Sequence, residues 1–384
     1  MTGRAGEAII RAMTIEELSP EQHELLAGFR DGRRVALTRV ISIVENQRPG
    51  FRAVLNALHE RVGRGHRIGI TGPPGAGKST LTAALIAHYR AQGETVGVIA
   101  VDPTSPFTGG ALLGDRIRMN EIAMDSGVFI RSMATRGSLG GLALTTKEVA
   151  DVMDAYGFDR ILVETVGVGQ SELDIASAAD STVVVLVPES GDGIQAMKAG
   201  LMEAADLFVI NKADRPGADR LAREVSMMLH MRSGQVMRNI PAHHGVDRAR
   251  VRARRSGSAA ATAATAAAAA TAATAPAGTA TAPPEGAAPW EIPVLKTMAE
   301  KAEGVPELAD TLERHRGWLQ ESGELGTRRR HRLAERVRDE VARSLLRRAW
   351  VERGGQEALS EALPALESGE TTPYEVAARI VRDA

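Results

Sequence analysis

The chain contains no cysteine. Disulfides, thiolate zinc sites, iron–sulfur clusters and cysteine nucleophiles are therefore excluded. Aromatic residues make up only 3% of it, so a core has to be built from Val, Ile, Leu and Ala. Charge of neither sign is in excess: 47 Lys and Arg face 48 Asp and Glu, a formal net charge of -1. That balance gives no global pull toward nucleic acid or an acidic membrane surface. No stretch reaches the roughly 20 apolar residues of a membrane span, and Met1 to Met13 has no apolar centre of signal-peptide length. The expectation is a soluble, cytoplasmic protein with neither nucleic acid nor membrane as a partner. Its 384 residues leave room for one α/β domain of ordinary size with helical extensions.

What is present begins with helices. Ser19-Pro20-Glu21-Gln22 reads as a helix start, with Ser as N-cap, Pro at N1 and Gln at N3. Leu37, Val40, Ile41 and Val44 recur at helical spacing, and Phe51, Val54, Leu55 and Leu58 repeat it. Near His66 the texture changes to short β-rich runs alternating with helical ones. Candidate strands are Arg67–Thr71, Thr95–Val101, Asp159–Glu164, Thr182–Val187, Leu207–Asn211 and Ile292–Thr297. Several are apolar throughout, such as Val183 to Val187, which marks strands covered by helices on both faces of a parallel sheet.

Within an insertion placed at about 252–289, the stretch from about Ser256 to Ala288 is almost wholly Ala, Thr, Gly and Pro. Such a segment buries little and reads as a disordered surface insertion. A basic run, Arg328-Arg329-Arg330-His331-Arg332, opens a helical tail along which Leu333, Val337, Val341 and Leu345 form a stripe. The run lacks interleaved aromatics, so it reads as a solvated helix face rather than a nucleic-acid contact. The stripe has to pack on its own domain or on a second subunit. Three regions follow: an N-terminal helical extension over 1–62, an α/β domain over 63–320, and a C-terminal helical arm over 321–384.

Gly72-Pro73-Pro74-Gly75-Ala76-Gly77-Lys78-Ser79 matches the phosphate-loop pattern in full, between a strand and the helical run Thr80–Arg90. Glycines there let backbone N–H groups converge on phosphate oxygens, and the helix start adds its positive dipole end. Lys78 is a compact cation for the β- and γ-phosphates, and the Ser79 hydroxyl suits Mg²⁺. Thr80 completes the loop. Asn211-Lys212-Ala213-Asp214 follows an apolar strand and has the N-K-x-D form that reads guanine. The Asp214 carboxylate can accept from both N1–H and the exocyclic amine. Adenine lacks the N1–H and would leave the carboxylate unpaired. Thr297-Met298-Ala299 is either a second base-contacting loop or a plain strand end.

Glu164 ends a buried strand ahead of Thr165-Val166-Gly167-Val168-Gly169-Gln170, glycine-rich enough for a mobile switch. Asp102 and Asp115 are further candidate carboxylates. Mg²⁺ keeps several waters and needs few carboxylates, so one of the three is free to orient the attacking water, and a capping or turn role stays open for Asp102 and Asp115. Arg131 and Arg136 read as solvated, or as contacts to phosphate or a partner. Pro188 to Gly193 is a polar loop that is either nucleotide-responsive or a simple connection. His243 and His244 form an isolated surface pair. The reading is a GTP-hydrolysing enzyme. A small-molecule P-loop kinase, a metal-insertion GTPase and a non-catalytic assembly module remain as rivals.

Gly72–Thr80, Val101-Asp102-Pro103-Thr104-Ser105, Gly109-Gly110 with Leu113-Gly114-Asp115, Thr135-Arg136-Gly137, Glu164–Glu172 and Asn211–Asp214 together resemble the methylmalonyl-CoA mutase-associated GTPases, the MeaB/ArgK group, from about residue 30 to 345. The resemblance implies a P-loop GTPase fold with a mostly parallel sheet flanked by helices. It implies a homodimer joined by the C-terminal arm. It also implies a partner, an adenosylcobalamin-dependent acyl-CoA mutase whose cofactor loading and protection are coupled to GTP hydrolysis. By position, Lys78, Asp102 and Glu164 would serve catalysis, Ser79, Asp102, Asp115 and Glu164 would surround Mg²⁺, and Asp214 would read guanine. The Ala/Thr-rich insertion and Thr297-Met298-Ala299, in place of a Ser-Ala loop, depart from the family pattern.

Overall fold

The computed structural model describes residues 17–102, 124–134, 141–165, 175, 177–189, 201–232 and 288–383. Helix α1 (Pro20–Arg30) starts at the box its sequence sets out: the Gln22 N–H donates to Ser19 Oγ at 3.2 Å, and the Ser19 N–H donates to Gln22 Oε1 at 3.0 Å. Helices α2 (Arg34–Glu45) and α3 (Phe51–Leu58) follow. Leu37, Val40, Ile41 and Val44 of α2 are wholly buried, as their spacing requires.

A seven-stranded, all-parallel sheet then forms in the order β3-β2-β4-β1-β5-β6-β7. Its strands are β1 (His66–Thr71), β2 (Val96–Asp102), β3 (Val128–Ala134), β4 (Arg160–Thr165), β5 (Ser181–Leu186), β6 (Leu207–Ile210) and β7 (Val294–Lys296). Helix α4 (Lys78–Ala91) leaves the carboxyl end of β1, α5 (Gly141–Tyr156) joins β3 to β4, and α6 (Leu201–Ala204) precedes β6. Helix α7 (Ala218–Arg232) follows β6, and α8 (Val305–Glu321) follows β7.

The continuous apolar strands are explained by two separate cores. Ile99, Val101, Phe129, Ile161 and Val163 face α1, α2, α3 and α5. Ile68, Ile70, Val98, Val183, Val185 and Val209 face α4 and α8 on the other side. Successive side chains of a strand point to opposite faces, so a strand covered on both sides has to be apolar throughout. The N-terminal helices therefore form part of one of the two covering layers.

The chain divides into two compact units, Met1–Ala222 with Trp290–Ala384, and Arg223–Pro289. Of the second unit, the described residues are the end of α7 with Ala288 and Pro289. The Ala/Thr-rich stretch read as a surface insertion lies, apart from those two residues, outside the described set, as do His243 and His244.

Helix α9 (Glu324–Arg347) is about 36 Å long at 1.5 Å per residue. A π-helical segment, Arg348–Glu352, joins it to α10 (Gly355–Glu367) and α11 (Pro373–Asp383). These close a small core of Ala349, Ala362, Val376 and Ile380. Helix α9 lies inside out. Leu333, Val337, Val341 and Leu345 are 48%, 64%, 46% and 59% exposed, so the stripe does not pack on its own domain. Of the basic run, Arg330 and His331 are exposed, but Arg328, Arg329 and Arg332 are not a solvated face. Arg328 makes two 2.9 Å bonds to the Asp206 carboxylate, Arg329 meets Asp180 at 2.9 Å, and Arg332 also pairs with Asp180. Arg336 pairs with Asp151, and Arg343 reaches Glu148 at 3.0 Å. Among the described residues no helix is long and apolar enough to cross a membrane.

Candidate functional site

The carboxyl ends of β1, β4, β5, β6 and β7 converge where a parallel sheet offers its ligand crevice. The phosphate loop leaves β1 at Gly72, where φ is +138° and an added Cβ would lie 2.1 Å from the Val185 carbonyl oxygen of β5. Only glycine fits so close an approach. Gly77 caps α4 with φ +82°, and a Cβ there would lie 2.4 Å from Asn211 Nδ2. Ala76 is buried, and Pro74 and Gly75 are exposed at the tip. Thr80 is half-buried in the first turn of α4. Lys78 opens that helix, and its Nζ donates to the Gly72 and Pro73 carbonyls at 2.7 and 3.0 Å. The loop is thus curled around its own ammonium group, ahead of a helix start whose N–H groups favour anions.

Ser79 Oγ donates to Glu164 Oε1 at 2.5 Å. Glu164 is buried in β4, between Ile70 of β1 and Ala100 of β2. Beside it, Thr165 Oγ1 donates to Thr71 Oγ1 at 3.4 Å, tying the end of β4 to the strand that carries the loop. Asp102 ends β2, in register with Ala134 of β3 and one residue past the Val101–Thr165 pair. Its backbone thus lies at the same sheet edge as Glu164. Asp115, Arg136 and Val166 to Gln170 lie outside the described residues.

Asn211 is the junction of the site, a role its sequence pattern did not spell out. Its buried amide donates from Nδ2 to the Ala76 carbonyl at 2.9 Å. Its Oδ1 accepts from Thr297 Oγ1 and from the Ala299 N–H, both at 3.1 Å. Its own N–H donates to the Leu186 carbonyl at 2.7 Å. Lys212, at φ +56°, donates from Nζ to the Gly75 carbonyl at 2.9 Å. The Ala213 N–H donates to the Thr297 carbonyl at 3.0 Å. Thr297-Met298-Ala299 is therefore more than a strand end: Thr297 and Ala299 hold the Asn211 amide in one orientation. Asp214 is exposed beside them.

Arg215 pairs with Glu189, which holds that carboxyl below its ordinary range, so the loop after β5 and the loop after β6 touch. Arg131, read above as solvated or as a contact to phosphate or a partner, instead pairs with Glu45 of α2.

A phosphate loop at the central strand, with an N-K-x-D loop bonded to its crest, belongs to one class of enzyme, the P-loop GTPases. The chain belongs to the methylmalonyl-CoA mutase-associated GTPase family, MeaB, whose model matches residues 37–353. A relative in Pyrococcus abyssi, designated a candidate GTPase, is 41% identical over 362 residues, 94% of this chain and 96% of that protein. GTPase ArgK of Escherichia coli is 43% identical over 195 residues, 50% of this chain and 59% of that one. In three dimensions the chain is similar to a LAO/AO transport system kinase, with a TM-score of 0.60 and 23% identity over 96% of this chain and 99% of that one. That last likeness speaks to the fold alone. The enzyme is a GTP hydrolase.

Proposed function

We propose that this GTPase is the chaperone of an adenosylcobalamin-dependent acyl-CoA mutase of the methylmalonyl-CoA mutase type, coupling GTP hydrolysis to cofactor loading and protection. The family's own description, which pairs the GTPase with methylmalonyl-CoA mutase, carries this reading. A cytoplasmic homodimer is the form we propose, with the outward stripe of α9 as the surface that a second copy covers. The apolar stripe supports that assignment, because a soluble chain seldom leaves such a face to water.

At the site, backbone N–H groups of Gly75 to Ser79 and the Lys78 ammonium would bind the β- and γ-phosphates, and Asp214 would select guanine. Ser79 Oγ and Glu164 Oε1, 2.5 Å apart, are hard oxygen donors of the kind Mg²⁺ accepts, so they fit the ion, with Asp102 and Asp115 as further members of its shell. The ion would supply charge neutralisation on the transferring phosphoryl group. The chain's own residues position the phosphates and exclude alternatives. Lys78 offsets the charge that grows toward the β–γ bridge, and Asp102 or Glu164 holds the attacking water. The rival readings, a P-loop small-molecule kinase or a metal-insertion GTPase, differ in what they would respond to.

The test is the GTP hydrolysis rate of the full chain with and without a purified cobalamin-dependent acyl-CoA mutase. A rise of tenfold or more, together with co-elution of the two proteins, is the expected result. An unchanged rate and separate elution would remove the mutase as partner and leave the GTPase class standing.

A further inference from the structure

The arginine face of α9 lies at the amino-terminal ends of the strands, the end of the sheet opposite the phosphate loop. Two of the carboxylates it grips are the residues that start β5 and β6. Asp180, immediately before β5, is almost wholly buried and is held by Arg329 and Arg332. It also exchanges backbone bonds with β1: its N–H donates to the Arg67 carbonyl at 2.8 Å, and the Arg67 N–H donates to its Oδ2 at 3.2 Å. Asp206, immediately before β6, receives both prongs of Arg328 and the Thr182 N–H of β5 at 2.9 Å.

Each strand then runs straight to the nucleotide cradle. Strand β5 spans six residues, about 20 Å at 3.3 Å per residue. At its far end the Val185 carbonyl is the atom against which Gly72 is packed without room for a methyl group. Strand β6 spans four residues and is followed at once by Asn211, whose amide holds the Ala76 carbonyl and whose N–H is bonded to Leu186 of β5. Both contacts are hard. Packed interiors transmit a displacement rather than absorb it, and a strand moved along its axis carries its carbonyls with it.

The geometry points to Asp180 and Asp206 as positioning residues of the nucleotide site, set from outside by Arg328, Arg329 and Arg332 of the arm. The arm is thereby a lever on nucleotide affinity. Strand β5 sets the floor of the phosphate loop and β6 sets its crest. Whatever shifts α9 along the strand starts changes how tightly guanine nucleotide is held. The two buried carboxylates keep their charge: burial alone would raise them, yet the facing guanidinium groups hold Asp180 well below the usual carboxylate range, and His315 with Arg328 holds Asp206 down to about 2.

The same helix supplies its own control. Arg343 also makes a partly buried pair, but with Glu148 of α5 and Glu340 of α9, away from the starts of β5 and β6.

The experiment compares full-length Arg328→Gln and Arg332→Gln, singly and together, with Arg343→Gln. The readouts are the dissociation rate of a fluorescent GDP analogue, kcat and KM for GTP, and the urea midpoint. On the lever reading the strut variants release the GDP analogue at least fivefold faster and raise KM more than they lower kcat. Arg343→Gln loses comparable stability with its release rate within twofold of the parent. Arg328→Lys, which restores a charge opposite Asp206, brings the rate back toward that of the parent. Where the double variant does not fold, the single Arg328→Gln decides, because Asp206 keeps the Thr182 N–H and His315. Equal release rates in folded strut variants and in Arg343→Gln would overturn the proposal, and so would a rate that follows the urea midpoint across all of them.

Discussion

The two ends of the sheet solve opposite problems with opposite chemistry. At the carboxyl end the chain builds a concavity out of backbone. Gly72 and Gly77 bring main chain into contact with Val185 and Asn211, and the side chains that enter, Lys78, Asn211 and Lys212, bond to carbonyls of the same loop. At the amino end it builds a lid out of long side chains. Asp154 accepts from the backbone N–H groups of Gly63, Arg64 and Gly65 at 2.9, 3.0 and 2.9 Å, and from the Arg67 guanidinium at 2.7 Å. Arg67 in turn meets Asp151 at 2.7 Å. A buried chain of polar groups runs beside it: His66 to Ser181 at 2.7 Å, Ser181 to His315 at 2.8 Å, and His315 to Asp206 at 3.4 Å. One end has to stay open to a ligand, and the other has to stay shut. The cradle is therefore specified by backbone shape, the lid by complementary charge.

The lid is where a single change should cost the folded state most. Asp180→Asn keeps the shape of the side chain but leaves Arg329 and Arg332 without their buried counter-charge. Breaking a buried pair in this way costs about 3–5 kcal/mol. Urea unfolding of the apo protein should show a loss of that size, and a loss below about 1 kcal/mol would place the pairs among surface bridges of little worth. The cradle should fail differently. Gly72→Ala puts a methyl group against the Val185 carbonyl at a backbone angle that L-residues rarely adopt. GDP affinity should fall roughly 100-fold, about 2.7 kcal/mol, measured by calorimetric titration. Affinity unchanged within threefold would mean that the loop has slack which the close contact does not reveal.

That difference also decides what can be read from sequence. The cradle is written in consecutive residues, because a loop that wraps a phosphate has to be local. Gly72–Ser79 and Asn211–Asp214 were therefore legible, and so were six of the seven strands, from their apolar runs. Strand β3 was not. Its run Val128-Phe129-Ile130 is cut short by Arg131 and Ser132, and the partner that explains the arginine, Glu45, is 86 positions away. The lid is illegible for the same reason on a larger scale: Arg67, Asp154, Asp180, Asp206 and Arg328 to Arg343 meet only after folding. The run at Arg328 has the composition of a solvated face, and nothing in its spacing names Asp180 or Asp206 as its counter-charges. The stripe from Leu333 to Leu345 was legible as a stripe, but its direction was not, because an amphipathic helix normally turns its apolar side inward. Helix α9 turns it outward because its charged side already has buried partners.

The smallest effect separates the two ends by pH. Burial is the main reason the His66 imidazole is pushed down to about 3. Asp180 opposes the shift, while Arg160, Arg316 and His315 add to it. In the unfolded chain the same group titrates near 6.5. Its folded pKa is the lower one, so its contribution to stability is fully present above about 6.5 and is lost as pH falls toward 3. At pH 5 the difference amounts to about 2 kcal/mol. Asp206, held near 2, has the same sign but adds its loss only below the ordinary carboxylate range. Acidifying from pH 7.5 to 5 should therefore lower the urea midpoint through the lid while the carboxylates still keep their charge. The measurement is paired urea melts of the parent and His66→Asn at the two pH values. The parent should lose about 2 kcal/mol, and the variant, having no imidazole at that position, should lose much less. Equal losses in both would assign the acid sensitivity to groups outside the lid. A parent as stable at pH 5 as at pH 7.5 would mean that His66 takes up its proton in the folded state without disturbing Ser181 and Arg160.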